Sequence, residues 1–238
     1  IWMKDYLQLE GLVYKLVPIK TPENPENPYQ LGRIDSEKML KIIKKWDWGN
    51  SKSRNIYHDP ETRKNSISFR SNLVRLADKL IQEEKFEKAE EVLDIAMENM
   101  PVELFGFYSL LTPFVSAYQK IDRDEKANSL ATTLNTKYIQ KLNFFKSFNL
   151  KSQQNYSEQI FTEIERYRNL VDSSCDYNDK NGFCHILIQD FIKNTSDFSL
   201  LYSAYEYFLP MTNYISILYS NNLNETGRLL FESISSVY

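Results

Sequence analysis

The sequence predicts a mainly α protein, built from helical hairpins, with a small β hairpin at its N-terminal end. Three observations lead there. Apolar residues recur at helical spacing through most of the 238 residues. Only 6 glycines and 8 prolines leave little room for a turn-rich β architecture. Strand-like composition is confined to residues 11–35, where LVYKLVPIK is apolar and β-branched. YQLGRI is expected to be the partner strand, across a TPENPENP loop that proline and asparagine keep out of regular structure.

Asp35 is placed to cap a helix through SEKMLKIIKKW, with Met39, Ile42, Ile43 and Trp46 on one face. WDWGNSKSRN reads as a loop. Asp59 followed by Pro60 is an N-cap with proline at the first helical position, and the helix is expected to run to Glu84. Residues 71–101 then organise the fold. Leu73, Leu76, Ala77 and Leu80 form one apolar stripe, and Ala89, Val92, Leu93 and Ala96 form the second. The small Ala77, Ala89 and Ala96 sit where two helices must approach closely. KFEKAEE at the turn reads as a solvated face with local ion pairs.

Thr112-Pro113 marks either a helix start or a kink. Phe114, Ala117, Tyr118 and Ile121 face inward on that helix, and Ala127, Leu130, Ala131 and Leu134 on the return helix after a turn at 122–124. Another helix is expected over 153–171, then the SSCDYNDKNG loop and two or three helices in 183–238. The division expected is an N-terminal segment, 1–34, packed on a helical body, 35–238.

Composition limits what the protein does. A net charge of -3 supplies no basic field for nucleic acid. The 16 tyrosines and 14 phenylalanines favour a core of large amphipathic rings. No run of about 18 apolar residues is present to span a bilayer. The best stretch, 198–219, is broken by Glu206, Pro210 and Asn213 and reads as core helices. The chain opens at Ile1 in mid-pattern, which suggests a piece of a larger protein.

The stripe from Leu73 to Pro101 resembles a tetratricopeptide repeat, a helix–turn–helix unit of about 34 residues. Leucine stands where tryptophan and tyrosine are usual, and residues 113–134 form a degenerate second copy. A second resemblance covers more of the chain, from Tyr6 to Asn135. YLQLEGLVYKLVPIK, the GRID segment, KWDWG and NIYHDPETRKN are similar to the C-terminal soluble region of a bacterial membrane-protein family resembling protein O-mannosyltransferases. That resemblance implies a fragment on the extracytoplasmic, periplasmic side of the inner membrane. It also implies that donor binding and catalysis belong to a membrane-embedded part absent from this sequence.

Several residues invite a functional reading. On a tetratricopeptide first helix, Ser71, Val74, Asp78 and Ile81 would face the concave groove. A carboxylate clamp usually offers lysine and asparagine there, and Val74 and Asp78 depart from that. The alternative is that these four simply pack against other elements. Cys175 and Cys184 flank a polar loop and are either a disulfide or two thiols, according to compartment. His58-Asp59 reads as a helix cap rather than a catalytic pair. Cys184-His185 diverge by about a third of a turn on a helix and make no nucleophile–base pair. Residues 176–182 resemble a calcium loop, but Tyr177 and Ile188 fall at ligand positions. Tyr202, Tyr205, Tyr207, Phe208 and Tyr214 form either helix–helix core or a sugar-binding or partner surface.

The function expected is a non-catalytic accessory or protein-interaction domain of a membrane glycosyltransferase-like protein, orienting an acceptor or partner. It is expected to need no cofactor or metal and to bind no nucleic acid. The alternative is a freestanding cytoplasmic helical-repeat adaptor that binds a peptide. A small hydrolase using Cys184 or His58 ranks last.

Overall fold

A computed structural model describes residues 3–21, 31–175, 183–201, 212, 214–216, 219–220 and 224–235. The protein is mostly helical, with a three-stranded sheet near its N-terminus. It divides into two compact units, residues 1–124 and 125–238.

The first unit opens with β1 (Leu7–Glu10) and β2 (Val13–Leu16), which pair antiparallel from Leu7↔Leu16 to Glu10↔Val13. The hairpin therefore turns at Gly11 and Leu12. This corrects the expectation that YQLGRI would be the partner of LVYKLVPIK. Gly11 has φ +70°, so the tight two-residue turn forms at no steric cost and closes the nearest possible pair. Within YQLGRI, β3 (Arg33–Ile34) pairs parallel to β1 on its other side, giving the order β2-β1-β3. Most of the TPENPENP loop lies outside the described residues.

Asp35 caps α1 (Ser36–Ile43), its carboxylate accepting from the Lys38 amide at 3.1 Å. Asp59 caps α2 (Pro60–Gln82) by accepting from the amides of Glu61 and Thr62 and from the Thr62 hydroxyl. These contacts satisfy amide donors that a helix start leaves open. α2 turns into α3 (Phe86–Asn99) through Glu84 at φ 56°. The Lys85 amide there donates back to the Leu80 carbonyl at 2.9 Å. α2 and α3 pack together as a helical hairpin. Leu73, Leu76, Ala77 and Leu80 meet Ala89, Val92, Leu93 and Ala96 in a seam that is wholly closed to solvent. Each buried leucine there contributes about 2 kcal/mol.

α4 (Val102–Phe105) and a 3-10 turn lead to α5 (Thr112–Lys120), with Pro113 in its first turn. Thr112-Pro113 is thus a helix start and not a kink. Arg70 of α2 is completely buried beneath this connection. Its guanidinium donates to the carbonyls of Met100 and Gly106, both at 2.6 Å. Those carbonyls lie at the C-terminal ends of α3 and α4, where a helix leaves acceptors open. Burial alone pulls the Arg70 guanidinium down to about 10.

The second unit contains α6 (Asp124–Lys146), α7 (Leu150–Asn155), α8 (Ser157–Cys175) and α9 (Phe183–Thr195). The single helix expected over 153–171 is in fact two. Asn149 starts α7 by accepting from the Ser152 amide at 2.9 Å, and α7 closes at Tyr156 before α8 begins. The core is aromatic. Tyr138 and Tyr167 stack with ring centroids 5.1 Å apart, and Phe191 meets Tyr167 edge-on at 5.1 Å. The Tyr167 hydroxyl donates to the Asn135 carbonyl oxygen, whose amide donates to Asp190 at 2.7 Å. A disulfide joins Cys175 at the end of α8 to Cys184 on α9.

Candidate functional site

The concave feature with the most distinctive chemistry lies in the second unit. It is built from the last turns of α6, the link around α7 and the first turns of α8. Phe144 and Phe145 end α6, Phe148 comes just after, and Tyr156 occupies the break between α7 and α8. Their rings are in contact: Phe144 meets Phe148 edge-on at 4.8 Å, and Phe148 lies tilted against Tyr156 at 5.5 Å. They enclose an open groove of about 440 Å³, a volume in the range of sites that take a small ligand or a side chain or two. Phe145 is buried as its floor, while Phe144 and Tyr156 keep 53% and 45% of their surface exposed.

Two cations border the groove. The Lys141 ammonium lies 5.3 Å from the Phe144 ring centre and 5.0 Å from that of Phe145. Ring faces attract a cation but leave its hydrogen-bond donors open. Lys141 makes no ion pair or hydrogen bond with the described residues. Arg166, on α8, pairs with Glu163 at 2.9 Å. Residues 126–157 contain five lysines and no aspartate or glutamate, although Lys146 pairs with Asp197 and Glu163 lines the groove.

The four positions expected to line a concave groove lie on α2. Ser71 is exposed, Ile81 is half-buried, and Val74 is buried with 8% exposure. The Asp78 carboxylate lies 4.0 Å from the Lys120 ammonium at the end of α5, which packs against α2. Burial lifts the Asp78 carboxyl above its ordinary value, and Lys120 opposes that rise. This face of α2 therefore has a helix of its own unit close beside it.

His58 is buried, its Nε2 is 2.9 Å from the Ser51 carbonyl oxygen, and its ring lies tilted against Phe105 at 4.6 Å. The Asp59 carboxylate is engaged in capping. Cys184 carries no thiol, because its sulfur is bonded to Cys175. Among the described residues no three histidine, cysteine, aspartate or glutamate side chains converge as metal ligands. The calcium-like stretch 176–182 lies outside the described residues. So do Tyr202, Tyr205, Tyr207 and Phe208, while Tyr214 is buried. Among the described residues, no helix is long and apolar enough to cross a membrane.

Sequence reasoning passed over the aromatic groove. Its signal was the acid-free run together with FFKSF, which helical periodicity alone reads as ordinary core and surface.

Residues 1–38 match a family model described as TMEM260-associated domain 2. No curated protein and no solved structure matches the chain. The matched segment holds the three strands and the first residues of α1, and it is seated closely on the helices after it. A Cβ added to Gly11 would come within 2.9 Å of the Trp46 ring. The Gly11 carbonyl accepts from the Asn72 amide at 2.9 Å, and Arg75 donates to the Tyr14 hydroxyl at 2.8 Å and to the Leu31 carbonyl at 2.7 Å. Lys38 of α1 pairs with Glu10 of β1. α2 is thereby the shared support of the matched segment and of the α2–α3 hairpin.

Proposed function

We propose that this chain is a non-catalytic accessory domain of a membrane glycosyltransferase-like protein, lying on the extracytoplasmic side and holding a protein partner or acceptor near the membrane-embedded site. The observation that supports it most is the TMEM260-associated match over residues 1–38, in a segment anchored to α2 by Asn72 and Arg75. The Cys175–Cys184 disulfide agrees with an oxidising compartment. The candidate catalytic groups support a non-catalytic role: His58 is buried against Phe105, Asp59 caps a helix and Cys184 is oxidised. The tetratricopeptide-like reading of the α2–α3 hairpin belongs to the same proposal, as a packing scaffold.

The test separates chemistry from positioning. The isolated chain is incubated with polyprenyl-phosphate-linked sugar donors, with and without acceptor peptides, and sugar release and transfer are measured. No turnover is expected from the chain alone. Full-length protein carrying Asn72→Ala and Arg75→Ala together should hydrolyse donor normally and transfer poorly to acceptor. Turnover by the isolated chain, or normal acceptor transfer by that variant, would overturn the proposal.

A further inference from the structure

We infer that the aromatic groove between α6 and α8 binds an extended peptide segment in which an apolar side chain is followed within one or two residues by a carboxylate. This deepens the interaction-domain reading and rests on it for biological meaning, while the binding itself stands on the groove. The floor and walls, Phe145, Phe144, Phe148 and Tyr156, supply an apolar slot of about 440 Å³. Such a slot takes one large side chain and excludes water around it. At its edge the Lys141 ammonium, held against two ring faces, has no counter-ion among the described residues. The acid-free run 126–157 adds positive field, and the carboxylate that lines the groove, Glu163, is paired with Arg166.

The charge selects the occupant. A neutral sugar would leave Lys141 unused and would want free carboxylate acceptors, whereas Glu163 is engaged by Arg166. A bilayer would need rings projecting from a convex surface, whereas Phe144, Phe148 and Tyr156 turn toward one another around a hollow. An apolar–acidic peptide uses both halves of the groove.

The probe is a fluorescein-labelled peptide, Gly-Ser-Leu-Phe-Asp-Glu, titrated with the full chain and read by anisotropy. Saturable binding is expected. Replacing Asp-Glu by Asn-Gln in the peptide, or Lys141→Met in the protein, should weaken it about tenfold or more, the scale of a lost charge-assisted hydrogen bond. Tyr156→Ala should weaken it comparably, and Lys141→Met retains the stem over the rings, so unchanged circular dichroism confirms folding. No binding at millimolar peptide overturns the inference. Binding indifferent to Lys141→Met does so too, as does binding to phosphatidylglycerol vesicles but not to peptide. Because the assay uses no donor, its failure is distinct from failure of the accessory-domain proposal.

Discussion

Arg70 donates from Nη2 to the carbonyl oxygen of Met100 at 2.6 Å, across thirty residues of chain and in complete burial. The same guanidinium also holds Gly106, so one side chain fixes the end of α3 and the end of α4 against α2. Both acceptors are carbonyls, and their dipoles offset the desolvation of the cation. Arg70→Met should therefore cost about 3 kcal/mol, because two buried acceptors lose their donor. Arg70→Lys should recover little, since one ammonium does not reproduce the planar fork. Urea unfolding measures both, and a loss below about 0.5 kcal/mol would show that the clamp is dispensable.

Ala89 faces the α2–α3 seam with no exposed surface. Ala89→Leu should force the two helices apart and destabilise the protein by about 1–3 kcal/mol. Unchanged thermal stability in this variant is the result that would contradict close packing there.

Glu37 on α1 accepts from Lys85 and Lys88, both at 2.8 Å, and these bonds hold its carboxyl down to about 2 against an ordinary 4.5. A depressed folded-state value means the contribution is complete above 4.5 and disappears as pH falls from 4.5 toward 2. Wild-type protein should lose stability over that window more steeply than Glu37→Gln, and high salt should narrow the gap because the pair is exposed. A carboxyl titration by NMR that returns the ordinary value for Glu37 would remove the bridge.

Tyr167 and Asn135 form the buried polar link in the second unit, with Asp190 completing it. Burial first, and Asp190 next, push the Tyr167 phenol far above its ordinary range, so it remains a donor at any physiological pH. Tyr167→Phe should cost about 1–3 kcal/mol by leaving the Asn135 oxygen without its donor. Combining it with Asn135→Leu should be less than additive, which a double-mutant cycle measures. Full additivity would mean the two residues are not coupled.

Local signals were the legible ones. Asp35 and Asp59 announced their helices because an N-cap acts within three residues, and the alanine–leucine stripes announced the α2–α3 seam because burial repeats with the helical turn. What sequence pattern missed depended on geometry at a distance or on a competing local choice. Gly11 permits a two-residue turn, and that nearer closure took LVYKLVPIK away from YQLGRI. Asn149 caps a helix start earlier than expected, and α7 closes at Tyr156, inside the helix expected over 153–171. Arg70 sits three residues before Leu73 on the apolar face, and its partners at 100 and 106 are visible only once the chain has folded back. The groove was hidden for the same reason: Lys141, Phe148 and Tyr156 converge through the α7 link, not through any periodic spacing.

The proposed extracytoplasmic location is tested most directly by the thiol state of Cys175 and Cys184 in full-length protein from its native cells. Intact cells are treated with a membrane-impermeant maleimide, with and without reductant, and the labelled residues are counted by mass. The predicted result is no label on Cys175 or Cys184 before reduction and label on both after it. Label on both without reductant, or two thiols reactive only after the cells are opened, would contradict that location.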